Sequence, residues 1–211
     1  MNHREGGPAQ ANRVQIPPRS QLERAPLFSP RLVIQPLVTK RHRAFFNAVE
    51  ESRASLAPWL PWVPLNDSLE ASRRYTDACE RDWDEGRALR FYLRPRDRPD
   101  FLGVITLEGI GRPHRSCDLG YWLHRSQRGQ GFMTEAARRV ISFAFQTIGL
   151  HRIRCAAAVN NQASRSVVEK LGFKHEGIAR DAEFVDGGWI THATYSLLST
   201  DPQPDLLKGE Q

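Results

Sequence analysis

Between residues 133 and 148 apolar side chains recur every third or fourth position. Met133, Ala136, Ala137, Val140, Ile141, Ala144, Phe145 and Ile148 make one stripe, while Glu135, Arg138, Arg139, Ser142 and Gln146 take the opposite face. That period is helical, and Gly149 suits the helix C-terminus. Residues 39–54 are predicted helical with Phe45, Phe46 and Val49 toward a core. So are residues 68–86, after the caps offered by Asn66-Asp67-Ser68. The second half of that segment is acidic (Asp77, Glu80, Asp82, Asp84, Glu85), which reads as a solvated face or as local charge for a basic peptide. A shorter helix starts at Asn161 and closes at Leu171-Gly172-Phe173.

Strand-like runs cover 32–37, 88–93, 101–110, 117–124, 153–159, 175–185 and 189–198. Pro36 places the first near an edge or a strand end. Arg94-Pro95-Arg96-Asp97, Gly111-Arg112-Pro113-His114 and Asp186-Gly187-Gly188 separate successive runs as antiparallel hairpins require. Residues 58–64, Pro-Trp-Leu-Pro-Trp-Val-Pro, are too rich in proline for a helix or a sheet interior. Residues 1–29 carry several prolines and glycines and few large apolar groups, which predicts a flexible N-terminal extension. Residues 200–211 read as a polar tail. The pattern is one α/β (α+β) domain over residues 30–199, a mixed sheet with helices on its faces.

Composition narrows the class. A chain of 211 residues that is 40% hydrophobic and 26% charged can bury a full core. No apolar run approaches the ~20 residues of a membrane helix. The N-terminus lacks the apolar centre of a signal peptide, so a cytoplasmic location without membrane partners is expected. Cys79, Cys117 and Cys155 are odd in number and far apart, which argues against a metal site or a disulfide framework. The net charge of +6 favours a polyanion, either nucleic acid or a phosphorylated small molecule. The basic residues are scattered, so nucleic acid is the weaker reading.

The chemistry concentrates before the long helix. A strand ends near Leu123, a basic loop carries Arg125, Arg128, Gly129 and Gly131, and the helix follows. The first turn of a helix leaves backbone N–H groups unpaired, and glycines let an anion approach them. A Walker loop needs Gly-Lys-Ser/Thr, which is absent, and the dinucleotide fingerprint needs a small residue where Thr134 stands. Taken alone, the loop reads equally well as a tight turn with surface arginines.

Two motifs together carry a resemblance. Arg128-Gly129-Gln130-Gly131-Phe132-Met133 resembles the pyrophosphate-binding loop of the GNAT superfamily of acyl-CoA N-acyltransferases. Asn161-Gln162-Ala163-Ser164 through Gly172-Phe173 resembles that superfamily's second signature. Pro58-Trp59-Leu60-Pro61-Trp62, Gly120-Tyr121-Trp122-Leu123 and Ala182-Glu183-Phe184 are similar to the branch that acetylates N-terminal alanine or serine of ribosomal proteins. The resemblance spans about residues 30–199. It implies the GNAT fold, a mixed, mostly antiparallel twisted sheet with helices on both faces and one splayed pair of parallel strands. Here that pair is 117–124 with 154–159, with the pantetheine of acetyl-CoA between them. It implies cofactor contacts from Leu123, Arg125, Arg128, Gly129, Gln130, Gly131, Phe132, Met133, Asn161 and Arg165. Met133 departs from the Gly or Ala of the general pattern, as this branch allows.

Acyl transfer to an amine needs a neutral amine, donors for the oxyanion and help for the leaving thiolate. No Ser/His/Asp or Cys/His arrangement is evident, so direct attack in a ternary complex is expected. By resemblance, Ser164 serves the thiolate and Glu183 is the base. The plainer readings are a helix-cap serine and a surface glutamate. Backbone N–H groups near Leu123 and the loop are the expected oxyanion donors. Trp59 and Trp62 either cap the core or wall an acceptor groove. The expected acceptor is a protein N-terminus. The alternatives are a small-molecule amine, a non-catalytic acyl-CoA-binding regulatory domain and a nucleic-acid module. A homodimer is left open.

Overall fold

The computed structural model describes residues 14–202. Among them, eight strands form one sheet: β1 (Leu27–Phe28), β2 (Leu32–Pro36), β3 (Leu89–Pro95), β4 (Gly103–Gly111), β5 (Ser116–Leu123), β6 (Arg152–Ala158), β7 (Lys174–Val185) and β8 (Gly188–Leu198). Their order is β1-β2-β3-β4-β5-β6-β8-β7. Every neighbouring pair is antiparallel except β5 and β6. The helices are α1 (Arg19–Arg24), α2 (His42–Leu56), α3 (Leu69–Asp84), α4 (Phe132–Phe143) and α5 (Gln162–Lys170).

Strand alternation builds two cores. Leu89, Phe91 and Leu93 of β3, with Ile105 and Leu107 of β4, point to the face that α4 covers. The stripe Met133, Ala136, Ala137, Val140, Ile141, Ala144 and Ile148 packs there as its period requires. Tyr92 and Val104, on the opposite parity, join Trp122 and the α2 residues Phe45, Val49 and Leu56 on the other face. The helix α4 passes into a wider π turn over Ala144–Ile148 and stops at Gly149, whose φ is 81°.

The parallel pair opens as expected. β5 and β6 pair only at Ser116–Arg152, Cys117–Ile153 and Asp118–Arg154. Beyond that point β5 remains bonded to β4 as far as Leu123, and β6 to β8 as far as Ala158. Each strand therefore keeps one partner while its other edge faces a gap. A bulge in β4 between Glu108 and Gly111, opposite Asp118 and Ser116, adds twist at this level.

The N-terminal expectation needs correcting. Residues 1–13 lie outside the described residues, but residues 14–29 are ordered. Val14, Leu22 and Leu27 are buried in the α4-side core. Gln15 N–H donates to the Ile148 carbonyl at 2.9 Å, and the Trp83 indole donates to the Pro17 carbonyl at 3.1 Å. Arg19 bridges Glu23, Glu80 and Asp84. Three spaced apolar anchors suffice because the folded domain supplies the surface they bury against. The acidic half of α3 is likewise partnered: Thr39 donates to Asp77 and Glu80, and Arg87 and Arg90 donate to Asp82. Among the described residues no helix is long and apolar enough to cross a membrane, and no cluster of three or more His, Cys, Asp or Glu side chains could hold a metal.

Candidate active site

The loop after β5 has the geometry of an anion seat. Gly129 and Gly131 have φ of 73° and 78°, the left-handed region in which a side chain is strained. Nothing lies within 4 Å of a Cβ placed on Gly129, so the approach is open. Gly131 is the N-cap of α4 and provides no side-chain cap, which leaves first-turn N–H groups for a ligand. The loop is braced from both sides. Arg128 donates to Ser55 Oγ of α2 at 3.1 Å, and Ser52 Oγ accepts from Arg125 N–H at 3.1 Å. Arg31, on the turn between β1 and β2, donates to the Gln130 carbonyl at 3.1 Å and lies 4.4 Å from the Phe132 ring centroid.

Arg31 is itself held by Glu135 at 2.7 Å. Burial alone would raise the Glu135 carboxyl's pKa. Hydrogen bonds from the Arg31 backbone, Ser29 and the Arg31 guanidinium outweigh it and hold the carboxyl below its ordinary value.

The gap between β5 and β6 is a cavity of about 470 Å³. Its walls are Leu119–Leu123 of β5, Cys155–Ala158 of β6, the start of α4, the first turns of α5 and the end of α2. The three alanines of β6 keep the channel open, and the backbone edges along it suit an amide-bearing chain. α5 aims its N-terminus here. Asn161 caps it, accepting from Ser164 N–H at 3.1 Å through Oδ1. Glu183 and His192, on β7 and β8, line the same cavity with Oε2 and Nε2 3.5 Å apart. Cys155 lines it too, but burial pushes its thiol up to about 12, so it remains protonated. A second cavity of about 430 Å³ adjoins at Trp59, with Pro58, Val159, Asn160, Trp189, Ile190 and Thr191 around it.

Leu123, Arg128, Gly129, Gly131, Met133, Asn161, Ser164, Glu183 and Trp59 all line the main cavity. Arg125, Gln130 and Phe132 do not; Arg125 and Gln130 belong to the loop beside it, and Phe132 is the first residue of α4. Two residues stand elsewhere. The Arg165 guanidinium turns away to Tyr195 Oη at 2.8 Å and the Val159 carbonyl at 3.1 Å, a structural tie between α5 and the sheet. Trp62 packs in the α2-side core against Phe45, Tyr75 and Trp122, at centroid distances of 6.0, 5.9 and 6.2 Å, because three aromatic neighbours there outweigh an exposed wall position. Tyr121, Arg31 and the pairing of His192 with Glu183 were not singled out from the sequence. Tyr121 alone carried a sequence signal, inside the Gly-Tyr-Trp-Leu motif.

Residues 31–174 match the family model described as an acetyltransferase (GNAT) domain. The chain is 27% identical over 188 residues to the [ribosomal protein uS5]-alanine N-acetyltransferase of Escherichia coli (strain K12), covering 88% of this chain and 97% of that one. YdaF of Bacillus subtilis (strain 168) is 38% identical over 99 residues, 47% of this chain and 54% of its own length. Among solved structures, Mycobacterium smegmatis RimJ in complex with CoA-disulfide superposes with a TM-score of 0.78 at 25% identity, covering 86% of this chain and 90% of that one. Uncapped helix start, open glycine loop and amide-lined gap fit the pyrophosphate and pantetheine of acetyl-CoA. The chain belongs to the GNAT acetyltransferase family and is an acetyl-CoA-dependent acetyltransferase.

Proposed function

We propose that this chain transfers the acetyl group to the N-terminal α-amine of a protein, by direct attack of the amine on the thioester in a ternary complex. The observation that carries the acceptor class is the lining of the two cavities that meet at Trp59. Among the described residues, Glu183 is the only carboxylate at the main cavity, and no charged side chain lines the second. Such a surface suits one amine on an otherwise neutral chain and offers little to a polycation. Trp59, common to both cavities, is the wall between donor and acceptor. The uS5-alanine N-acetyltransferase, alike over nearly its whole length, is named for an alanine of a ribosomal protein as acceptor, which supports this reading.

Glu183 takes the amine proton, directly or through water. The task is milder for an α-amine, with pKa near 8, than for a lysine near 10.4. Ser164 donates to the departing sulfur, and backbone N–H groups near Leu123 face the oxyanion. Direct attack is favoured because the thiol in the channel, Cys155, is held protonated.

The test incubates the protein with acetyl-CoA and a panel of peptides with free N-termini, polyamines and aminoglycosides, read by mass spectrometry. Acetyl on a peptide α-amine is expected, with turnover down about 10²-fold in Glu183→Gln. Acetyl confined to small molecules would overturn the acceptor class. Unchanged turnover in Glu183→Gln would remove the base.

A further inference from the structure

The side chain of Tyr121 crosses the mouth of the splay from β5 to α5. Two hydrogen bonds join it to Ser164. The Ser164 hydroxyl donates to Tyr121 Oη at 3.1 Å, and Tyr121 O–H donates to the Ser164 carbonyl at 2.8 Å. Both residues line the main cavity. Burial is the largest influence on the phenol and holds it neutral far above its ordinary titration range, so Tyr121 is always a donor as well as an acceptor.

Proton accounting then sets a limit on Ser164. Its single hydroxyl proton points at Tyr121, and the phenol proton points at a carbonyl. To serve a leaving sulfur, the serine proton must turn into the cavity. Its oxygen then needs a donor, and Tyr121 O–H, already within 3.1 Å, can swing from the carbonyl to supply one.

We infer that Tyr121 is a positioning residue for acetyl transfer: it holds the Ser164 hydroxyl at the mouth of the splay and, as the C–S bond breaks, donates to it, giving a chain from phenol to serine to thiolate. The inference rests on the reading of Ser164 as donor to the sulfur. The balance is simple. The amine nitrogen forms the C–N bond, and its proton goes to Glu183. The C–S electron pair leaves on sulfur as a thiolate, whose thiol pKa lies near 8.5. No proton leaves Ser164 or Tyr121. The chain stabilises the anion by hydrogen bonding, and each link strengthens the next in a site of low polarity.

The experiment measures kcat and KM for acetyl-CoA in Tyr121→Phe, Ser164→Ala and the double variant, with thermal melting and CoA affinity as checks on the fold. Phe keeps the ring and removes only the hydroxyl. Both single variants are expected to lose about tenfold or more in kcat, with KM for acetyl-CoA within about twofold of the parent. The double variant should be no slower than Ser164→Ala, because Tyr121 acts through Ser164. Loss in Ser164→Ala with full kcat in Tyr121→Phe overturns this inference and leaves the Ser164 reading standing. Multiplied losses in the double variant also overturn it, since they assign Tyr121 a separate role. Full kcat in Ser164→Ala overturns the Ser164 reading and this inference with it.

Discussion

Glu135 shows how much one side chain organises. It accepts from Ser29 Oγ at 2.7 Å, Arg31 N–H at 2.8 Å and Arg31 Nε at 2.7 Å, and so fixes the arginine that braces the Gln130 carbonyl. Arg31 is half exposed, so solvent screens the ion-pair part, while the Ser29 and backbone bonds persist. Because the folded carboxyl titrates below its unfolded value near 4.3, its stabilisation is present above that pH and is lost as pH falls through the folded value. Glu135→Gln should cost about 1–2 kcal/mol at pH 7 in urea denaturation, shrinking as pH falls through the carboxyl's lowered range. A pH-independent cost would assign the effect to shape and not to charge.

At the level of elements, the wall of the cavity depends on how closely β4 approaches β5. A Cβ on Gly103, at φ 154°, would lie 2.2 Å from the Trp122 carbonyl oxygen and 2.9 Å from Leu123 Cα. Both are backbone atoms that cannot swing aside. Gly103→Ala is therefore expected to destabilise by more than about 2 kcal/mol and to weaken CoA binding, since the end of β5 must move. Gly187→Ala, with φ 81° and nothing within 4 Å, isolates the backbone strain, about 1–2 kcal/mol. Equal losses in melting temperature would show that contact with β5 adds nothing. The acidic half of α3 belongs to the same scale. Its charges read as a solvated face until the partners Thr39, Arg19, Arg87 and Arg90 arrive from other elements.

Across the whole molecule, residues 14–29 pack beside α4 against α3 and β2. Leu22 is 3% exposed and Val14 4%. Leu22→Ala should cost about 2–3 kcal/mol in chemical denaturation, because a cavity remains where the leucine packed. It should also speed amide exchange at Gln15 while leaving that of β4 much less affected, as the segment can open without the sheet. Uniform acceleration would instead make this segment part of the global unfolding unit.

The order of elements and the glycine turn before α4 were legible because both are written locally. Helical period, strand alternation, a glycine needing positive φ and an asparagine capping the next turn act through residues a few positions apart. Family resemblance singled out Ser164 and Glu183, and the fold brought them to one cavity. The pairing of Tyr121 with Ser164 spans 43 residues, and that of Ser29 with Glu135 spans 106. No local pattern encodes such partners. They follow from which strand edge the fold leaves open and which helix end it aims there. For the same reason only the tertiary structure turned Arg165 toward Tyr195, drew Trp62 into the aromatic core and docked residues 14–29. A side chain's preference among distant partners is decided by the geometry that delivers them, whereas its preference for helix, strand or turn is decided by its neighbours in the chain.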